Sequence, residues 1–312
     1  MIDETQVQAM RRRHADGAVV VEVYSGAGWQ QWPNDQLPLG LPPVPQWRDA
    51  AADGQPADAL LPFAPVSFRD FMLYEQHVID ASRAMARRYL PGSYRLTAAY
   101  ERITGSTFPM FKPNRLWFEQ PIYYMSNALT FVPSGTPVTT PAYARDLDYE
   151  LELGFVIGRP LRNATPTEAA AAISGYVVLN DLSARDVQIA EMRSGFGPQK
   201  AKHFASSMSD TVVAATSSID PAALEAEVKI NGVTVTRSSA KGMRYTLGEA
   251  LAHASKSEQL YPGELFGTGT LPGCSGIESG HLPQEGDRLE LTIHGIGTIT
   301  HEVRPHAERH RG

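Results

Sequence analysis

The chain has 312 residues, of which 42% are hydrophobic and 20% charged, with a formal net charge of −6 and one cysteine, Cys274. That balance argues against a general nucleic-acid binder, which needs a basic stripe for phosphates, and a lone cysteine excludes an internal disulfide or a cysteine-based zinc cluster. The opening MIDETQVQAMRRRH lacks the apolar core of a secretory signal and no run is long and apolar enough to span a bilayer, so a soluble, cytoplasmic protein is expected.

In chain order, GAVVVEVYSGAGWQQW (17–32) reads as two short strands around a Ser-Gly-Ala-Gly turn. A Pro-rich stretch from PNDQLPLGLPPVPQW to LLPFAPVSF suggests a linker or an extended cover. The length favours one large domain with a smaller appendage. Residues 1–65 are therefore expected to form a small β-rich N-terminal region with its linker, and residues 66–312 the main domain. RDFMLYEQHVIDASRAMARRYLPG has helical spacing, with Asp70 at the N-cap position and Pro91-Gly92 as its stop.

From Pro121 onward the pattern is mostly β, with two helices inserted. Thr165 and Glu168 form one predicted capping box, with Pro166 in the first turn and Gly175 as the stop. Thr246 and Glu249 repeat the device. EVKINGVTVTR (227–237) predicts a hairpin on its Asn-Gly turn, and DRLELTIHGIGTITHEVR predicts two further strands. The fold class expected is α+β, mainly β, dominated by antiparallel strands.

LDYELELGFVIG (147–158) is apolar and β-prone yet carries Asp148, Glu150 and Glu152 at alternate positions. Period two places the acids on one face and Tyr149, Leu151, Leu153 and Phe155 on the other. The acids form either a solvated face or part of a metal site. GYVVLNDLSARDVQ (175–188) ends an apolar strand at Asn180-Asp181. A buried carboxylate there needs a partner. Either a hard divalent cation shared with the glutamates or an Asp181–Arg185 salt bridge would supply one, and an oxygen-only ligand set selects Mg²⁺, Mn²⁺ or Ca²⁺.

These blocks, with PGELFGTGTLPGCSG and GDRLELTIHGIGTI in the same order, resemble the fumarylacetoacetate hydrolase superfamily over roughly residues 66–305. DFMLYEQH and PIYYMSNALTFVPSGTP resemble its fumarylacetoacetase-like branch. The resemblance implies a β-sandwich roll, a homodimer, and a divalent cation held by Asp70, Glu150, Glu152 and Asp181. It implies His77 as general base oriented by Glu290, and Lys202 polarising the substrate carbonyl. Arg185 and Gln188 would line the pocket, and Tyr124, Ser206 and Thr270 would face the substrate.

Taken without the family, His77 also fits a surface or capped-core histidine, Lys202 an ordinary surface lysine, and Thr270 a turn in a Gly-rich loop. The activity implied is metal-dependent hydrolysis of a C–C bond in a 1,3-diketo acid such as an acylpyruvate. The alternative is decarboxylation or isomerisation of a 2-oxo acid by the same metal–enolate chemistry, and a non-catalytic metal-stabilised scaffold is the competing class. Fumarylacetoacetases proper carry an arginine nine residues after the histidine, where Ala86 stands here, and a tyrosine where Met192 stands. A less acidic or more apolar distal substrate arm is therefore expected.

Overall fold

The structure, a computed structural model, describes residues 4–33, 36–49, 59–216 and 218–305. Parts of the Pro-rich stretch therefore lie outside the described residues. Among those described, an 11-stranded sheet faces a 5-stranded one. The large sheet runs Trp29–Trp32, Ala18–Tyr24, Ala9–Ala15, Thr211–Ala214, Ile173–Asn180, Glu150–Ile157, Leu265–Ser275, Phe68–Phe71, Tyr123–Ser126. Ser206–Met208 and Phe131–Pro133 attach beside Ile173–Asn180. The smaller sheet runs Val233–Ser239, Glu225–Ile230, Arg288–Ile293, Gly297–Arg304, Val138–Thr139. The chain is α+β and mainly β.

Alternation along Glu150–Ile157 explains the layering. Leu151, Leu153 and Phe155 enter one core, with Val228, Leu289, Leu291 and Ile299 of the smaller sheet and Leu247 and Leu251 of the helix Leu247–Ala254. Val156, on the opposite face, joins a second core with Val177, Met10, Val21, Val23, Leu41 and Phe63. The described part of the Pro-rich stretch is thus a cover on the sheet. Residues on both sides of position 66 share that second core.

Both capping boxes form, at Thr165–Glu168 and Thr246–Glu249. The Asn231-Gly232 turn has the left-handed φ values, 53° and 78°, that its hairpin requires. Four local expectations need correction. Asp70 caps no helix: it lies in the strand Phe68–Phe71, and the helix Glu75–Tyr89 starts five residues on, after an extended Tyr74. Pro91 ends that helix but opens another, Pro91–Thr104, because a first-turn proline surrenders no needed N–H. The helix begun by Thr165 stops at Ala172, where Ile173 enters the sheet. The Gly-rich GTGTLPGCS is strand, irregularly paired with Glu150–Ile157, and not a loop.

Candidate active site

Phe68–Phe71, Glu150–Ile157 and Leu265–Ser275 are adjacent strands, and Asp181 directly follows a fourth. Their ends converge Asp70, Glu152 and Asp181, so that one oxygen of each lies within 4.8 Å of the others, all three residues being buried. The solvated-face alternative fails, since every residue of Glu150–Ile157 is buried. Gly267, in register with Asp70 and Gly154, makes room for the cluster. A Cβ there would stand 2.5 Å from both Asp70 Oδ1 and Glu152 Oε2.

Those same two oxygens are buried without a hydrogen-bond partner. Burial, then the charge of Asp181, pushes the Asp70 carboxyl up to about 7. Burial, then Asp70 and Asp181, pushes Glu152 well above the carboxylate range. Burial also raises Asp181, against the opposing charge of Lys202. Orphaned oxygens, mutual repulsion and a cradle cleared by glycine fit a hard divalent cation, which these three residues could hold.

Glu150 is placed differently. It lies two residues from Glu152, but its Oε1 pairs with Arg185 Nη2 at 2.6 Å and its Oε2 with Lys202 Nζ. Burial would raise its pKa, yet Arg185 and Lys202 outweigh burial and hold it well below the usual range. Glu150 is thus outside the three-acid cluster here because two cations already satisfy it. Asp148 leaves the shared face as well. The strand is interrupted at Tyr149, and Asp148 bonds Arg185 Nε at 2.7 Å. Among the described residues Arg185 thus pairs with Asp148 and Glu150, not with Asp181.

Lys202, buried and not a surface lysine, bridges Glu150 and Asp181. Burial opposes its charge, but those two acids raise its pKa and keep it an ammonium. Tyr124 O–H donates to Asp181 Oδ2, and Ser206 Oγ stands 3.5 Å from Asp181 Oδ1. Thr270 Oγ1 stands 3.4 Å from Glu152. These three residues therefore touch the carboxylates themselves. Gln188 Oε1 accepts from Arg185 at 2.9 Å.

His77, buried in the first turn of Glu75–Tyr89, places Nδ1 2.9 Å from Glu278 Oε2. This overturns the assignment of Glu290 as orienting acid. Glu290 sits on Arg288–Ile293 and is paired with Arg288 at 3.2 Å. Glu278 is also held by Ser275 Oγ at 2.5 Å and by Gly273 N–H at 3.1 Å. Gly273 N–H and Ser275 O–H donate to Glu278, and the His77 tautomer that completes this set has the proton on Nδ1, facing Glu278, and a lone pair on Nε2. Burial lowers the affinity of His77 for a second proton, but Glu278 outweighs it and the pKa is raised. The signal for Glu278 was the Ser-x-x-Glu spacing of Ser275–Glu278, which caps a helix only four residues long.

Residues 101–304 match the family described as fumarylacetoacetate (FAA) hydrolase, C-terminal, and since this is more than half of the 312 residues, the chain belongs to that family. The family's members are enzymes. Asp70 and His77 lie upstream of the matched span, so geometry alone joins them to the site. The chain is 30% identical over 185 residues to human mitochondrial oxaloacetate tautomerase FAHD1, covering 59% of this chain and 81% of that protein. The Rattus norvegicus tautomerase is 32% identical over 187 residues, with the same shares covered. The fold is similar to that of 2-hydroxyhepta-2,4-diene-1,7-dioate isomerase from Mycobacterium marinum, with TM-score 0.66, 22% identity, and 96% of this chain and 100% of that one covered. It is equally similar to the fumarylacetoacetate hydrolase of Exiguobacterium antarcticum, with TM-score 0.66, 22% identity, and 95% and 99% covered.

Proposed function

We propose that this protein is a divalent-cation-dependent enzyme hydrolysing a C–C bond in a 1,3-diketo acid. The observation that carries this reading is a buried histidine, oriented by Glu278 and within electrostatic reach of Glu150, two residues along the strand from Glu152 of the buried three-carboxylate cluster. Asp70, Glu152 and Asp181 would hold the cation, with Glu150 alongside. When bound, the cation supplies Lewis acidity and a template for the two oxygens of the oxo acid.

His77 Nε2 takes a proton from water, and Glu278 stabilises the imidazolium that results. Lys202 uses two of its three N–H donors on Glu150 and Asp181, leaving the third for a developing oxyanion. Arg185 holds Gln188 through its Oε1, which leaves the Gln188 amide N–H groups as further donors for the substrate. Met192, 50% exposed on the helix Arg185–Arg193, offers an apolar surface to the distal arm.

A second reading, tautomerisation or decarboxylation of a 2-oxo acid, is favoured by the names of the curated relatives. It uses the same residues. In tautomerisation His77 takes a proton from carbon and one is returned to oxygen, whereas in decarboxylation the C–CO₂ bond breaks and His77 in its protonated form delivers a proton to the enolate carbon. Incubation with acylpyruvates and with oxaloacetate in Mg²⁺ or Mn²⁺ separates the two when cleavage and decarboxylation products are identified by mass spectrometry and the enol of oxaloacetate, which has the mass of the keto form, is followed by its ultraviolet absorbance. Two acid products from an acylpyruvate support hydrolysis. Turnover of oxaloacetate with no acylpyruvate cleavage would replace it by the second reading.

A further inference from the structure

Asp148 does not belong to the carboxylate cluster, yet it is fully buried and ringed by donors. Its Oδ1 accepts from Tyr149 N and Gly276 N, each at 2.7 Å. Its Oδ2 accepts from Ile277 N at 3.0 Å and Arg185 Nε at 2.7 Å. Four acceptor positions meet four N–H groups. Gly276 allows the approach, because a Cβ there would lie 2.4 Å from Asp148 Oδ1.

The two sets of donors lead to two halves of the site. Arg185 carries Glu150 and Gln188. Gly276 and Ile277 open the short helix Gly276–Ser279, whose Glu278 holds His77. Tyr149 O–H, next in the chain, meets Ser279 Oγ at 3.2 Å and braces the same helix. We propose that Asp148 is a positioning residue that fixes the Glu278–His77 pair relative to the Arg185–Glu150 pair. It touches neither substrate nor cation and acts through Glu278. The inference rests on the proposed role of His77 for its bearing on catalysis, but not for its geometry.

Asp148→Asn tests it, since the amide NH₂ must oppose N–H groups wherever it turns. His77 is faced by Glu278 from the short helix, by Glu150 from its strand and by Arg185 from the following helix. The readout is the His77 titration followed by NMR, which needs no substrate. With Glu278 displaced, the His77 pKa is expected to fall by about one unit, the usual scale for one neighbouring charge. The acid limb of the kcat profile should move with it. In a Glu278→Gln background Asp148→Asn should move the titration no further.

A folded Asp148→Asn protein with an unchanged His77 titration overturns the proposal, as does full additivity with Glu278→Gln. If Asp148→Asn does not fold, Asp148→Ser carries the same test, since it keeps a small acceptor for part of the N–H ring without placing an NH₂ against it. Failure of the functional reading is distinct: His77→Ala would then retain turnover, whatever the titrations show.

Discussion

At the scale of single residues, the decisive physics is repulsion among Asp70, Glu152 and Asp181, relieved only in part by Lys202. The folded-state pKa of Asp70 is raised to about 7 from 3.8, and that of Glu152 is raised well above its own ordinary value. The cation-free fold therefore keeps protons that the unfolded chain releases at lower pH. Their stabilisation is fully present below the unfolded values and is lost as pH rises through about 7. Thermal melting of chelator-treated protein should fall between pH 5 and pH 8, and Mn²⁺ should restore it. By the same sign, calorimetric Mn²⁺ affinity should be weaker at pH 6 than at pH 8. Glu152→Ala should lower that affinity by more than about tenfold, since even residues behind the ligands matter by 10- to 100-fold; equal affinity in mutant and wild type would remove Glu152 from the site. His77→Ala keeps helix propensity, alanine being a good helix former, but leaves buried Glu278 one partner short, so stability should fall by about 1–3 kcal/mol with the fold retained, while kcat drops by about 10²–10⁴. An unchanged kcat would take His77 out of the mechanism.

At the scale of elements, the site depends on strands that can approach closely. Gly267, the third residue of Leu265–Ser275, leaves the volume occupied by the Asp70 and Glu152 carboxylates. Gly267→Ala should cost about 1–3 kcal/mol as overpacking, read in denaturant unfolding, and should weaken Mn²⁺ binding as the acids are pushed apart. Wild-type stability and affinity together would mean that the cradle relaxes freely. Glu278 belongs to an element too short for hydrophobic periodicity to reveal, so its helix escapes a reading by pattern. The strand Ala9–Ala15 was missed for another reason. Its three arginines look like a solvated surface, yet Arg11 and Arg13 pair with Glu22 on the neighbouring strand and Arg12 with Asp49. The Asp16-Gly17 turn that joins the two strands, with φ of 50° and 78°, was the legible signal.

At the scale of the whole molecule, the N-terminal hairpin is part of the main sheet. Ala9–Ala15 pairs with Thr211–Ala214, and Met10, Val21 and Val23 are buried in the second core. A chain beginning at residue 60 would expose an unpaired strand edge and lose that burial, worth about 1.5–3 kcal/mol for each large apolar side chain. It should melt lower and aggregate. Melting and solubility like those of the full chain would show that the hairpin is dispensable. Substrate choice also belongs to this scale. Ala86 and Met192 stand where the family resemblance places a carboxylate-binding arginine and a tyrosine, so on the proposed reading kcat/KM on an acylpyruvate with an apolar arm should exceed that on fumarylacetoacetate by about ten- to hundredfold, the value of one lost charged hydrogen bond. Efficient cleavage of fumarylacetoacetate would refute this.

What the sequence determined by itself was whatever depends on near neighbours. Alternation assigned Leu151, Leu153 and Phe155 to a core, the Thr-x-x-Glu boxes started two helices, and Asn-Gly turned a hairpin, because each of these is a matter of local backbone geometry. Glu152 and Asp181 were legible one by one as carboxylates in or ending apolar strands, since a buried charge demands a partner, whereas Asp70 reads locally as a helix cap and joins them only through the family resemblance. Which partner each one finds is decided across the sheet. Glu150 is taken by Arg185 and Lys202, Asp70 meets Glu152 over Gly267, and His77 meets Glu278 rather than Glu290. Those choices join residues as far as 201 positions apart. They are made by strand order and register, which no local pattern encodes.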